Sequence, residues 1–242
     1  MKLVVDVGNS RIKWARIDGG LLEPGRHAEH HGSIEKLLDQ LWHAEEAPST
    51  VMVSSVAGAD ADVAIARWIR NRWGLRVEWF RSRPKTLGLV NGYRDSGQLG
   101  SDRWAALVGA HGLLPGPIGV VDCGTAITLD VIDEGDRHLG GLIVPGLELA
   151  RLSLLAGTAT IGEAGNRATG LLGRSTAECV ANGTTLGLAG ALERWMAEVE
   201  ESVAGIAWLV TGGAWPRLSS RIRKTVRYDP DLVLKGLARV LE

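Results

Sequence analysis

The chain has 242 residues, of which 45% are hydrophobic and 23% are charged, and this composition excludes a disordered chain, a collagen and a coiled coil. The 27 Lys and Arg residues nearly balance the 28 Asp and Glu residues, so no global charge favours nucleic acid or an anionic membrane, and we expect neither as a partner. The two cysteines are too few for a disulfide framework, and no apolar signal segment follows Lys2, so we expect a cytoplasmic protein.

Short runs of β-branched residues alternate with segments of helical spacing, which is typical of an α/β protein. The expected strands cover residues 2–7, 49–54, 118–132 and 207–211. The expected helices cover residues 34–42, 60–73, 103–111, 177–200 and 232–241. Before the last helix, Asp229-Pro230 predicts an N-cap followed by proline at the first helical position.

Two segments about half a chain apart are similar to each other. Residues 3–10 read LVVDVGNS, and residues 119–126 read GVVDCGTA. In each segment an apolar strand ends in aspartate and is followed by a glycine turn and a hydroxyl residue. The repeat predicts two similar lobes, residues 1–114 and 115–242, with ligand bound between them, where domain interfaces commonly form clefts.

The two Asp-Gly turns are the first candidate site. Glycine lets backbone N–H groups approach a ligand closely, and such turns form anion-binding concavities. Lys13 follows the first turn, and a returning hairpin strand would bring its ammonium group to Asp6. Asp6 could then orient Mg²⁺, directly or through water, while Lys13 neutralises phosphate oxygens. One isolated copy is better explained as an ordinary hairpin turn, and the second copy reverses this preference in favour of the phosphate site.

Residues 100–103, Gly-Ser-Asp-Arg, are the second candidate site and lie near an expected helix start. Ser101 or Asp102 could simply cap that helix. The alternative is that Asp102 is a general base, because a carboxylate near a helix N-terminus stays ionised and can accept the proton of an attacking hydroxyl. Arg103 could then hold a substrate carboxylate or a transferring phosphoryl group.

Other features are less specific. The glycine-rich segments 140–146, 173–176 and 209–214 are explained by turns alone. Tryptophans 42, 68, 73 and 195 lie in helical patterns and are assigned to a core or a subunit interface. The basic run from Arg221 to Arg227 is assigned to a solvated face.

Taken together and in this order, the segments resemble type III pantothenate kinase, the family that includes the Bvg accessory factor proteins. The resemblance implies two similar α/β lobes of the acetate and sugar kinase/Hsp70/actin (ribonuclease H-like) fold, with a nucleotide cleft between them and assembly as a homodimer. It implies transfer of the γ-phosphoryl group of ATP to pantothenate, which gives 4'-phosphopantothenate at the first step of coenzyme A synthesis. The motifs that carry it are residues 6–13, 100–103, 122–126, 140–146 and the region of Thr176.

The resemblance also implies roles for individual residues. Asp102 would be the catalytic base that activates the primary hydroxyl of pantothenate. Asp122 would bind a monovalent cation, K⁺ or NH₄⁺, which is needed besides ATP and Mg²⁺. The implied ATP contacts are Asp6, Val7, Gly8, Asn9, Ser10, Arg11, Ile12, Lys13 and Thr125. The implied substrate contacts are Tyr93, Gly100, Ser101, Asp102, Arg103 and Thr176.

Two other functions stay open at this point. A kinase or phosphatase of the same fold could act on another small hydroxylated substrate, because a fold does not determine its substrate. A non-catalytic regulator of the Bvg accessory factor type is the second, although the presence of Asp6, Lys13, Asp102 and Asp122 favours an active enzyme.

Overall fold

The computed structural model describes residues 1–30, 33–161, 165 and 167–242, which divide into two compact units. The first unit contains residues 1–115, 136–139 and 231–242, and the second contains residues 116–135 and 140–230. The second lobe expected from the repeat was residues 115–242. The structure differs because the last helix and a hairpin tip pack with the first unit, and such long-range packing leaves no local sequence signal.

The secondary structure alternates strands and helices along most of the chain. The strands are β1 (Lys2–Val7), β2 (Arg11–Asp18), β3 (Leu21–Leu22), β4 (Arg26–Glu29), β5 (Val51–Ser55), β6 (Val77–Trp79), β7 (Lys85–Thr86), β8 (Leu89–Val90), β9 (Ile118–Cys123), β10 (Ala126–Ile132), β11 (His138–Pro145), β12 (Ala207–Thr211) and β13 (Arg227–Tyr228). The helices are α1 (Ile34–Trp42), α2 (Ala59–Trp73), α3 (Ser101–Leu113), α4 (Leu147–Gly157), α5 (Thr176–Ser202), α6 (Trp215–Leu218) and α7 (Leu232–Leu241). In the described part of the chain, no helix is both long enough and apolar enough to cross a membrane.

The first unit is built on a sheet with the strand order β3-β2-β1-β5-β6, in which β4 also pairs with β2. The central strand β1 is antiparallel to β2 and parallel to β5. Leu3, Val5 and Val7 pack in one core with residues of α1 and α2, while α3 and α7 contact β5 and β1. Because successive side chains of a strand point to opposite faces, Asp6 projects away from the α1/α2 core.

The second unit is built on a sheet with the order β11-β10-β9-β12-β13. Val121 and Cys123 of the central strand β9 pack in a core with Leu192 and Met196 of α5. The alternation of side chains therefore directs Asp122 to the opposite face. The central strand of each unit thus has an aspartate at its penultimate position, on the face away from its main helical core.

Four tryptophans of the first unit pack against one another. Trp42 contacts Trp14, Trp68 and Trp73, with ring centroids 5.8 to 5.9 Å apart, and Trp68 contacts Trp73 at 5.0 Å. Such pairs stabilise a core beyond the apolar area that they bury. These three helical tryptophans therefore have the core role predicted for them, and they fasten α1 and α2 to the sheet.

The predicted bounds of the last helix, residues 232–241, are those of α7, but its predicted N-cap was wrong. Asp231, rather than Asp229, occupies the N-cap position of α7, so Pro230 precedes the cap instead of following it. The Asp231 side chain also accepts a hydrogen bond from the backbone N–H of Gly25, with Oδ2 at 3.0 Å. This contact with a distant turn explains why the local Asp-Pro signal did not decide where the helix begins.

Helices α3 and α7 pack closely because each has a glycine at the contact. A Cβ atom on Gly236 would lie 1.8 Å from the Ala105 carbonyl oxygen, and one on Gly109 would lie 2.4 Å from the Leu232 carbonyl oxygen. Both obstacles are backbone atoms, which cannot move aside as a flexible side chain can. The absence of side chains at these two positions therefore sets the distance between the helices.

We expect Gly236→Ala to lower the free energy of unfolding by about 2 kcal/mol or more, because the added methyl group forces α3 and α7 apart. Urea unfolding followed by circular dichroism measures the change. Gly190→Ala is the matched control, since a Cβ atom there meets nothing within 4 Å. That variant is expected to gain up to about 1 kcal/mol from helix propensity. Equal stability of the two variants would contradict the proposed close contact.

Candidate active site

Three polar side chains lie in one row across the first sheet. Asp6 is the register partner of Lys13 on β2 and of Ser54 on β5. Their neighbours along the strands, such as Ile12 and Val53, pack in the α1/α2 core. All three polar residues therefore project from the opposite face, on which α3 lies. The hairpin return predicted from sequence thus places Lys13 beside Asp6.

The turn that joins β1 to β2 is held by backbone and histidine contacts. The Gly8 N–H donates to the Arg11 carbonyl at 2.9 Å and closes the turn. The His30 N–H donates to the Ser10 carbonyl at 3.1 Å, and the His30 ring Nε2 donates to the Gly8 carbonyl at 2.7 Å. Sequence reasoning did not identify His30, because nothing local connects it to a turn twenty residues earlier.

The side chains of residues 6–13 do not all point toward one place. Val7 and Ile12 are fully buried in the α1/α2 core, so only their main-chain atoms can contact a ligand. Arg11 is exposed and pairs with Glu29 of β4 at 3.1 Å. The row of Asp6 and Lys13, together with the backbone of the turn, is therefore the part of this segment that can meet a polyphosphate.

A buried pair of serines connects this row to α3. Ser54 Oγ donates to Ser101 Oγ at 2.9 Å, and Ser101 Oγ donates to the Ser55 carbonyl at 3.3 Å. Both hydroxyl groups are buried. The first turn of α3 is thereby attached to the strand next to Asp6. Sequence reasoning missed Ser54. The two serines at the end of an apolar strand could have indicated polar side chains at the candidate site.

The start of α3 excludes the alternative that Asp102 serves as the helix cap. Gly100 is the N-cap residue, and no side chain among the described residues caps it, so neither Ser101 nor Asp102 is the cap. Asp102 Oδ1 accepts from the Arg103 N–H at 2.8 Å. A Cβ atom on Gly100 would lie 2.6 Å from that same oxygen. Gly100 is therefore the residue that leaves room for the Asp102 carboxylate at the helix start.

Tyr93 lies close to this helix start. Arg103 Nη1 donates to the Tyr93 hydroxyl oxygen at 3.0 Å. Arg103 is only 8% exposed, and the backbone N–H of Tyr93 donates to Asn91 Oδ1 at 3.0 Å. The structure therefore brings Tyr93 into contact with Arg103, which lies ten positions later in the sequence.

The second sheet carries an equivalent row with different chemistry. Asp122 is the register partner of Thr128 on β10 and of Thr211 on β12. Thr211 Oγ1 is buried and has no hydrogen-bond partner in the described part of the protein. The aspartate of each unit thus lies between two polar residues. These are Lys13 and Ser54 in the first unit, and Thr128 and Thr211 in the second.

Two glycines pack closely against the turn that follows Asp122. Gly212 has φ +93°, and a Cβ atom on it would lie 2.4 Å from Asp122 Oδ1. A Cβ atom on Gly146 would lie 2.4 Å from the Gly124 carbonyl oxygen, and the Gly146 N–H donates to the Thr125 carbonyl at 2.9 Å. Two of the three glycine-rich segments, 140–146 and 209–214, therefore lie against the Asp122 turn, whereas Gly173 of the third lies against Glu178 and Cys179.

Cys123, the residue after Asp122, is not a nucleophile in this site. Burial raises the pKa of its thiol to about 12, and the nearby Asp122 carboxylate adds to the effect. The thiol therefore stays protonated at neutral pH, and only the thiolate reacts. Thr176, the remaining expected substrate contact, is an exposed residue that begins α5 in the second unit.

Solved structures support the fold class expected from sequence. The structure of a Baf family transcriptional activator from Campylobacter jejuni has a TM-score of 0.61 at 20% identity, covering 99% of this chain and 96% of that one. A ROK family glucokinase from Streptomyces griseus has a TM-score of 0.52 at 13% identity, covering 98% and 97%. At such identities the likeness shows the fold alone, which is that of the acetate and sugar kinase/Hsp70/actin proteins.

Sequence relatives show the family. The family model described as Type III pantothenate kinase matches residues 2–198. The Type III pantothenate kinase of Nitrosococcus oceani is 36% identical and covers 99% of this chain and 93% of its own length. That of Alkalilimnicola ehrlichii is 37% identical and covers 98% and 96%. With the paired Asp-Gly turns and the Gly-Ser-Asp-Arg helix start in place, this chain belongs to the type III pantothenate kinase family.

Proposed function

We propose that this protein transfers the γ-phosphoryl group of ATP to the primary hydroxyl of pantothenate, giving 4'-phosphopantothenate and ADP. The relatives of nearly full length, named Type III pantothenate kinase, support this reaction. The structural observation that carries it is the row of Lys13, Asp6 and Ser54 on adjacent strands, in which Ser54 is hydrogen-bonded to Ser101, the residue before Asp102. It joins a phosphate-binding turn to a base within one unit.

The turn after β1 and Lys13 bind the ATP phosphates in this proposal. The backbone N–H groups of Asn9 and Ser10 and the Lys13 ammonium are donors for phosphate oxygens. Asp6, beside Lys13, fits a site for Mg²⁺, which neutralises phosphate charge when bound. The described residues hold no cluster of three metal-ligating side chains, so phosphate oxygens and water would supply most of the ligands of a bound Mg²⁺.

Asp102 is the general base. It lies in the first turn of α3, where the helix dipole favours the ionised carboxylate. As the primary hydroxyl of pantothenate attacks the γ-phosphorus, its proton passes to Asp102, and the bond to the β-phosphate oxygen of the leaving ADP breaks. Phosphoryl transfer depends mainly on positioning and charge stabilisation. Gly100, Ser101, Arg103 and Tyr93 would border the substrate around this carboxylate, with Thr176 as a further contact.

Asp122 is the site proposed for the monovalent cation, and Thr125 for a further ATP contact. The buried Thr211 hydroxyl, with no partner in the described residues, and the neighbouring Thr128 supply oxygen donors beside the Asp122 carboxylate. Hard cations prefer such oxygen ligands. The donor set therefore fits K⁺ or NH₄⁺, which would neutralise charge near the bound nucleotide.

A second copy of the chain is the proposed partner. Consecutive elements of the second unit expose large apolar side chains: Leu142 and Ile143 on β11, and Leu149, Leu152 and Leu154 on α4. Exposed large apolar residues that recur within one stretch of the chain, here residues 142–154, indicate a protein interface. Both cysteines are free thiols, which suits the reducing cytoplasm as the place where this homodimer works.

The two alternatives are not favoured. A non-catalytic regulator has no need of Asp102 at a helix start that is linked to the Asp6 row, and relatives across the full length are named as kinases. A kinase for another small hydroxylated substrate would not explain why the family match includes the Gly100 to Arg103 segment.

The first experiment measures ADP release from the purified protein with Mg-ATP and pantothenate, in potassium and in sodium buffer. We expect pantothenate-dependent turnover in potassium that collapses in sodium. Asp122→Ala should weaken ATP binding and abolish the response to potassium, and Thr211→Val should raise the potassium concentration needed for half activation. Absence of pantothenate-dependent turnover in either buffer would refute the proposed reaction, and a retained potassium response in Asp122→Ala would move the cation site elsewhere.

Asp102→Asn should lower kcat by at least about 100-fold, because the amide cannot accept the hydroxyl proton, while the KM for pantothenate changes little. Steady-state kinetics measure both quantities. Asp60→Asn is the matched control, since Asp60 is an exposed aspartate at the second position of α2, as Asp102 is of α3. Near-normal turnover of Asp102→Asn would exclude this residue as the base.

Ile143→Glu should convert the dimer into a monomer, because a charge at the interface cannot be buried without a partner. Sedimentation velocity measures the mass. Leu21→Glu is the control, since Leu21 is an exposed leucine of the first unit, outside β11 and α4. A wild-type protein that sediments as a monomer, or an Ile143→Glu variant that still sediments as a dimer, would contradict this interface.

A further inference from the structure

We propose that His138 is a positioning residue that holds the Tyr93 ring at the substrate site. This inference rests on the proposed function in one respect, since it takes Tyr93 and Arg103 to border pantothenate. His138 lies at the start of β11, in the short segment 136–139 that packs with the first unit. It is far from Tyr93 in the sequence, and no motif of the chain includes it.

The contact itself is a ring stack. The His138 and Tyr93 rings have centroids 5.6 Å apart and an interplanar angle of 22°. This geometry is the offset stacking that aromatic pairs prefer. The Arg103 guanidinium also meets the Tyr93 side chain, with Cζ 5.8 Å from the ring centroid and Nη1 donating to the hydroxyl. Tyr93 is therefore held by His138 at its ring and by Arg103 at both ring and hydroxyl.

His138 is itself rigidly placed, as a positioning residue must be. His138 is fully buried, with 0% of its surface exposed. A Cβ atom on Gly92 would lie 1.7 Å from the His138 carbonyl oxygen, so the chain just before Tyr93 runs directly against the His138 backbone. A glycine is required there for that approach.

Two further contacts attach the same hairpin tip to the first unit. The Val90 N–H donates to the Asp136 carbonyl at 2.8 Å, and His111 Nε2 of α3 lies 3.0 Å from Asp136 Oδ1. Asp136 has φ +58°, an unusual backbone conformation for a residue other than glycine, which such contacts help to maintain. These contacts therefore fix the position of the hairpin tip that carries His138.

The Tyr93 segment needs such support because it lacks regular structure. Tyr93 follows β8 and precedes a short 3-10 helix, Ser96–Gln98, so no strand or helix determines its side-chain direction. Its hydroxyl accepts a hydrogen bond from Arg103, and its own proton is then available for an acceptor oxygen of the substrate. Losing the stack would leave the Tyr93 ring held by Arg103 alone, so that it could rotate away from that direction. This would weaken substrate binding without affecting the phosphate-binding turn.

The surroundings of the Tyr93 ring can be followed separately from those of Tyr228, because the chain has only two tyrosines. We would label the protein with 3-fluorotyrosine, record ¹⁹F NMR spectra, and assign the Tyr93 signal with Tyr93→Phe. In His138→Leu we expect the Tyr93 signal to move and the Tyr228 signal to stay. In His138→Phe, which keeps an aromatic ring, the Tyr93 signal should stay close to its wild-type position. An unchanged Tyr93 signal in His138→Leu would overturn the proposal.

Kinetics then test the consequence for the reaction. His138→Leu should raise the KM for pantothenate by about tenfold, with kcat and the KM for ATP within about threefold of wild type. His138→Phe should restore the KM for pantothenate to within about threefold of wild type. His43→Leu, which changes an exposed histidine at the end of α1, is the control for a general effect of this substitution.

The outcomes separate this inference from the proposed function. An equal rise of both KM values, or an equal defect in His138→Leu and His138→Phe, would show that His138 is merely structural. If His138→Leu does not fold, His138→Phe still decides, because a tenfold rise in its KM for pantothenate overturns the proposal. Absence of pantothenate turnover in the wild type would refute the proposed function, whereas the NMR result would still show whether His138 orients Tyr93.

Discussion

The register of β1 against its two neighbours is the constraint on which the first half of the site depends. Leu3, Val5 and Val7 are buried against α1 and α2, and a shift of one residue would exchange them with the opposite face. Burial of this apolar face therefore determines that Asp6 projects toward the side of α3. The same argument applies to its register partners Lys13 and Ser54. Burial of the apolar face therefore aligns three polar groups that are separated in the sequence.

The second unit uses the same constraint for different chemistry. Val121 and Cys123 are buried, and Asp122 projects between Thr128 and Thr211. The second turn is one residue shorter, since Cys123 pairs with Ile127 whereas Val7 pairs with Ile12. One scaffold thus presents a row with a cationic side chain in the first unit and a row of oxygen atoms only in the second. This difference matches the phosphate-binding and cation-binding roles proposed for them.

Glycine has a defined physical role at several of the important contacts. At Gly236 it lets two helices approach, at Gly100 it leaves space for the Asp102 carboxylate, and at Gly92 it lets the chain before Tyr93 approach His138. In each case the atom that a methyl group would meet belongs to a distant or functional residue. Sequence reasoning could explain such glycines as turns, but it could not say what each one makes room for, because that depends on the partner.

The sequence by itself determined the α/β class, the bounds of β1, α1, β12 and α7, and the return of Lys13 to Asp6. These follow from local periodicity and turn chemistry, which act over a few residues. Only the tertiary structure decided that α7 packs with the first unit, that Ser54 joins Ser101, and that His138 stacks on Tyr93. These contacts join residues that are 45 or more positions apart in the sequence. They form only because the folded core brings their elements together, and local signals carry no information about such pairings.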